Sequence, residues 1–93
     1  MLWKDVHEEG RSALWEADAL DGRKFEILDN KQYTFSDTKG YLLFETTADM
    51  IYDRKGLPVF GMGLFAALGV PPSAVFESIG EAQMVAEIVI KPA

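Results

Sequence analysis

The chain carries one histidine, fifteen carboxylates and no cysteine, and these residues bound the chemistry open to it. His7 stands among Asp5, Glu8 and Glu9. That spacing is not the H-E-x-x-H helix face of a zinc hydrolase, and a lone histidine beside charged neighbours is ordinarily solvated. Ser12, Ser36, Ser73 and Ser78 have no distant histidine except His7 to activate them as nucleophiles. The lack of cysteine excludes disulfides, thiolate catalysis and cysteine-built zinc or iron–sulfur sites. Carboxylates remain. Glu16, Asp18 and Glu26, with Glu16 facing Glu26 across two strands, would form a group able to raise a carboxylate pKa or hold a hard cation. Such a row is more often a hydrated face that keeps a sheet soluble. The expectation is therefore an acidic face at Glu16, Asp18 and Glu26, with no catalytic residue, no metal and no cofactor.

These three carboxylates need a sheet to hold them, and the pattern over residues 12–45 supplies one. Asp21-Gly22 marks a hairpin. A two-residue turn there would set Asp18 against Phe25 and Glu16 against Ile27. A three-residue loop, with Gly22 at a positive-φ bulge position, sets Trp15 against Ile27, Ala17 against Phe25, Asp18 against Lys24 and Leu14 against Leu28. Because a one-residue slip turns every side chain to the other face, this agreement selects the register. Continuing through loops at Asp29-Asn30-Lys31 and Asp37–Gly40 gives a meander. Its inner face would be Trp15, Ala17, Phe25, Ile27, Tyr33, Phe35, Leu42 and Phe44. Asp53-Arg54-Lys55-Gly56 has the residues of a type I turn, followed over residues 57–60, with Pro58, by an edge strand or a short extended piece; a helical turn at Ala48–Tyr52 is the alternative. Residues 2–9 suit a short helix ended by Gly10.

The second part of the chain is different in kind. Gly56 to Phe76, "GLPVFGMGLFAALGVPPSAVF", holds no charge, in a 93-residue chain of formal net charge -6. A membrane span needs about 20 mostly apolar residues, but Pro58, Pro71, Pro72 and three glycines interrupt this run. Gly61-Met62-Gly63-Leu64-Phe65-Ala66 fits a dinucleotide-binding pattern, yet too little chain follows it for the βαβ units that fold needs. Short helices are expected over residues 63–69 and from Pro72 or Ser73 to Ile79, with Gly69 and Gly80 as their stops. "QMVAEIVIKP", apolar on alternate residues of both faces, is expected as a strand inside the sheet.

Within this part, "LFAALGVPPSAVFESI" resembles a phage-repressor-type helix-turn-helix over about 16 residues. Leu68-Gly69-Val70 sits at that family's turn, Ser73-Ala74-Val75 early in its second helix and Ile79 at a later core position. The resemblance implies DNA binding. The exposed early positions of the second helix would be Pro71, Pro72, Ser73, Phe76 and Glu77. No Lys or Arg lies between Lys55 and Lys91, so the cations that phosphates and base edges require are missing.

The expected architecture is α+β in a single domain, residues 1–93. An antiparallel meander sheet of about four to six strands carries two short helices from residues 63–79 on one face and has the C-terminal strand inside it. Phe60, Met62, Leu64, Phe65 and Phe76 exceed what one face of a small sheet covers, and are expected to line an interface or a ligand pocket. The function expected is that of a non-catalytic interaction or accessory protein that self-associates through the apolar 57–76 segment. The alternatives are an apolar-ligand module with its pocket between sheet and helices, and a helix-turn-helix-like regulator. The partners expected are a second copy and a basic protein, not nucleic acid or membrane. With no basic-then-apolar leader at the N-terminus and no cysteine, the cytoplasm is the expected location.

Overall fold

The Asp21-Gly22 hairpin forms in the register its side chains require. A computed structural model describes residues 1–7, 13–30, 39–61 and 71–90. Strands β1 (Leu2–Asp5), β2 (Ala13–Asp18), β3 (Lys24–Asp29), β4 (Tyr41–Glu45), β5 (Met50–Tyr52) and β6 (Pro58–Phe60) lie in sequence order in one antiparallel sheet. Trp15 faces Ile27, Glu16 faces Glu26, Ala17 faces Phe25 and Asp18 faces Lys24. Gly22 has φ +90°, the conformation its bulge position asks of a residue without Cβ. At the other end of the pair, Ala13 rather than Leu14 faces Leu28, because the register shifts between Ala13 and Trp15.

The Asp53–Gly56 turn also forms. The Gly56 N–H donates to the Asp53 carbonyl at 3.0 Å, and Asp53 Oδ1 accepts from the Lys55 and Leu57 N–H groups at 2.8 and 3.0 Å. Strand β6 is an edge strand, which its Pro58 tolerates because one side needs no donor.

Four sequence expectations are corrected. Residues 2–5 are a strand, not a helix: Trp3 packs against the sheet core opposite Ala17, and Leu2 and Lys4 turn to the other face. The tertiary contact of one tryptophan overrides a helical spacing that rested on three apolar residues. Second, β3 pairs directly with β4, with Ile27 opposite Leu43 and Phe25 opposite Glu45. Both edges of β3 are thus occupied, by β2 and β4; the expected pairing of Ile27 with Tyr33 and of Phe25 with Phe35 involves residues outside those described. Residues 31–38 lie outside the described residues. The change also moves Leu42 and Phe44 to the face opposite Phe25 and Ile27.

Third, Pro72–Ala74 is a single 3-10 turn, and Phe76 then runs extended in a β-bridge with Tyr41. No helix from Pro72 to Ile79 exists, so the second helix of the repressor-like resemblance is absent; its first helix falls within residues 62–70, outside the described residues. Fourth, the C-terminal strand is instead helix α1, Ile79–Ile90. The Ser78 Oγ accepts from the Glu81 N–H at 3.1 Å, and the Glu81 carboxylate reaches back to the Glu77 N–H at 3.4 Å. The Ser78 cap on the N3 N–H is one half of a capping box, S-x-x-E, with the Glu81 carboxylate reaching one residue further back than the box prescribes. Ala82, Val85 and Ala86 are buried on one face of α1, at the i, i+3, i+4 spacing of a helix.

Helix α1 covers the face of Phe25, Ile27, Leu43 and Tyr52, with Phe76 between them. The opposite face buries Ala13, Leu28, Leu42 and Ile51 beneath Ala74 and Val75. The sheet is therefore covered on both sides, which its adjacent apolar pairs Ile27-Leu28 and Leu42-Leu43 require. Close approach at one glycine permits the second cover. A Cβ on Gly40, which has φ +151°, would come within 2.6 Å of the Phe76 carbonyl oxygen.

Candidate functional site

Three places on the fold gather chemistry-bearing residues. The first is the open part of the sheet face opposite α1. The register aligns Lys4, Glu16 and Glu26 in one row across β1, β2 and β3, and Leu2, Asp18 and Lys24 in the next. The structure therefore brings together the three carboxylates expected from the sequence, but with Lys4 and Lys24 among them. They border an open hollow of about 470 Å³ that Leu2 and Thr46 also line. Lys4 faces Glu16 and Lys24 faces Asp18, opposite-charge pairs of the kind that stabilise a sheet surface, while Glu16 and Glu26 face each other with like charge. No group of three or more His, Asp or Glu side chains fit to hold a metal occurs among the described residues.

The second place was not foreseen. Arg23, just before β3, sends its guanidinium to Glu45 on β4, with Nη2 to Oε1 at 2.7 Å and Nε to Oε2 at 3.1 Å. The Tyr52 hydroxyl donates to Glu45 Oε1 at 2.6 Å and the Thr47 hydroxyl to Oε2 at 3.1 Å. Arg23 Nη1 also donates to the Val89 carbonyl at 3.4 Å, near the end of α1, and the guanidinium lies 5.3 Å from the centre of the Phe25 ring. Glu45 is buried. Burial alone would raise its pKa, but the Arg23 and Tyr52 hydrogen bonds and the Arg23 charge outweigh it, and the carboxyl is held below its ordinary value. Burial, then the hydrogen bond to Glu45, pushes the Tyr52 phenol up.

Each Glu45 oxygen is met by two of these donors, so the carboxylate offers no free base to a substrate. Its arrangement is that of a clamp: a bidentate arginine that ties β4 and β5 to the C-terminal end of α1, where a cation also suits the helix dipole. The sequence signal was slight. Glu45 ends an apolar strand, and its side chain falls on the helix-covered face only once β3 and β4 pair directly.

The third place is apolar. Leu57, Met84 and Ile88 are exposed by 57%, 61% and 56%. Gly56 packs under α1, so that a Cβ there would lie 3.6 Å from Ile88 Cγ2. Leu57 follows Gly56 directly in the chain, and Met84 lies one helical turn from Ile88. Of the apolar candidates from the sequence, Phe76 is fully buried and serves as core. Phe60 pairs its backbone with Ile51 in β6. Met62, Leu64 and Phe65 lie outside the described residues. His7 is exposed and edges a shallow hollow with Asp5, Trp15, Asp29 and Tyr41; Asp5 Oδ1 accepts the backbone N–H of His7 at 3.0 Å.

Among the described residues no helix is long and apolar enough to cross a membrane. No protein-family model, curated protein or solved structure matches the chain, so the site is read from its own geometry.

Proposed function

We propose that the chain is a non-catalytic interaction protein that self-associates through its apolar 57–76 segment and the exposed apolar face of α1. The observation that carries this reading is the pair Met84 and Ile88, large apolar side chains exposed one turn apart on α1, with exposed Leu57 next in the chain to Gly56, which lies under Ile88. Single exposed apolar residues are common on any protein; adjoining ones mark contact surfaces. The carboxylates support a reactive centre less well, because Glu45 is saturated by donors and Glu16 and Asp18 each face a lysine. The net charge of -6 makes a basic protein the natural further partner, and a chain without cysteine suits a reducing cytoplasm.

Ile88→Glu tests the reading. The residue is exposed, so the substitution changes stability by about 0.5 kcal/mol or less. Sedimentation velocity should show the wild-type chain self-associating and Ile88→Glu sedimenting as a monomer, with Leu57→Glu weakened in the same direction. A wild-type dimer that tolerates both substitutions would remove this surface from the contact.

A further inference from the structure

The sheet face beneath α1 carries polar groups at both ends of the helix. At one end the Arg23–Glu45 clamp reaches Val89, near the end of α1. At the other, by Ile79 where α1 begins, Asp5 faces Trp15 across β1 and β2, and Asp29 faces Tyr41 across β3 and β4. Two acid–aromatic cross-strand pairs thus border one open hollow of about 310 Å³, with Ile79 at its edge. Trp15 and Tyr41 are half-buried and pack against the core, so both rings are set in place before any ligand arrives. We propose that this hollow takes an arginine side chain of a basic protein partner. This rests on the basic-partner reading and gives that partner its place.

The chemistry of the lining selects the occupant. Carboxylates beside aromatic rings favour a cation. The titratable groups of the lining are Asp5, Asp29, Tyr41 and His7, and among the described residues no Lys or Arg joins them. A guanidinium both pairs with carboxylates in its plane and stacks on a ring, which an ammonium does less well. Leu14 and Ile79 also line the hollow and offer apolar contact to the stem of the same side chain. The hollow is shallow, and its volume lies at the low end of those that enclose a small molecule, so it suits an inserted side chain. The positive end of the α1 dipole is met by Glu77 and Glu81. In the adjoining hollow, which shares Asp29 and Tyr41, Glu77 offsets Lys39. The whole chain, at -6, draws basic proteins towards it.

Capped hexa-arginine and hexalysine peptides, added to the full chain at low salt and followed by NMR, test the site. Hexa-arginine should move the Trp15 indole signal and the amide signals of Asp5, Asp29 and Tyr41. Asp5→Asn and Asp29→Asn should each weaken its binding about threefold. At Asp5 the amide keeps the acceptor that holds the His7 N–H at 3.0 Å, so the local turn survives. Asp18→Asn removes the same charge from the opposite face of the sheet, and its effect should be much smaller. Hexalysine should bind at least about threefold more weakly than hexa-arginine, because its ammonium groups stack less well on the rings.

Three results overturn the hollow and leave a basic partner standing: signals that move around Glu16 and Asp18 instead, an Asp18→Asn effect as large as that of Asp5→Asn and Asp29→Asn, or equal affinity for the two peptides. Acetyl-arginine amide binding as tightly as hexa-arginine makes the occupant a small cation and overturns the protein partner. A chain that binds neither peptide removes the basic-partner reading together with the site. Self-association is read apart from all of these, by the sedimentation of Ile88→Glu.

Discussion

Phe76→Ala is expected to cost about 3–5 kcal/mol of stability. Phe76 is fully buried and packs with Phe25, Ile27, Leu43, Ala82, Val85 and Ala86 between sheet and helix. Its backbone is fixed on both sides, the Tyr41 N–H donating to its carbonyl at 2.9 Å and its own N–H to the Tyr41 carbonyl at 2.8 Å. The walls of the vacated space are β3, β4 and α1, three regular elements held by their own hydrogen bonds, so they cannot close in on it. A domain of this length has about 5–14 kcal/mol in all, and the variant should unfold at much lower denaturant or not fold at 37 °C. Phe76→Leu keeps most of the volume and should cost under about 1.5 kcal/mol. Urea titrations of the two variants check the contrast. Near-equal midpoints would mean that Phe76 does not fill the core.

Glu45→Ala should be nearly as damaging, at about 3 kcal/mol. It leaves the Arg23 guanidinium, over the Phe25 ring and mostly shielded, without its bidentate partner. It also removes the acceptor of the Tyr52 and Thr47 hydroxyls. The pH dependence follows from the direction of the shift. The folded pKa of Glu45 lies below its unfolded value, so its contribution is present above about pH 4.3, the ordinary glutamate pKa. It is lost as pH falls through the folded value. Tyr52, with its folded pKa raised, gives a contribution that is present below about pH 10 and fades as pH rises through the folded value. The stability gap between wild type and Glu45→Gln should therefore be wide at pH 7 and narrow on acidification below about pH 4. A gap independent of pH would show that Glu45 is not ionised in the folded clamp.

The parts of the fold legible in the sequence were those decided locally. The hairpin at Asp21-Gly22 was legible because each alternative register placed a carboxylate among apolar residues, and the Asp53–Gly56 turn because its end residues suit one turn type. Both were settled within about a dozen residues of chain. The direct pairing of β3 with β4 was not local. Tyr33 and Phe35 alternate well enough to look like the next strand, and choosing Leu42 rather than Leu43 for the inner face was a one-residue slip.

Helix α1 was missed for a different reason. In "QMVAEIVI" the apolar residues occur at both even and odd positions, which fits a buried strand and a helix equally; length and end signals had to decide. The deciding signal was Ser78 three residues before Glu81. Gly80 obscured it, because a glycine there reads as a stop. The same glycine sits exposed in the first turn of α1. The Arg23–Glu45–Tyr52 clamp depends on the direct pairing of β3 with β4, which no local signal in the sequence reveals. Of the apolar interface candidates, Phe76 turned inward, while Met84 and Ile88 were hidden as strand residues.

The solution mass of the wild-type chain, measured by light scattering over a wide range of concentration at low and high salt, tests self-association most directly. Each copy carries a net charge of -6, so like charges oppose the contact and screening relieves them. The expected result is a mass that rises from monomer to dimer with concentration, at lower concentration when salt is high. A mass that stays at 10.4 kDa under every condition would contradict it.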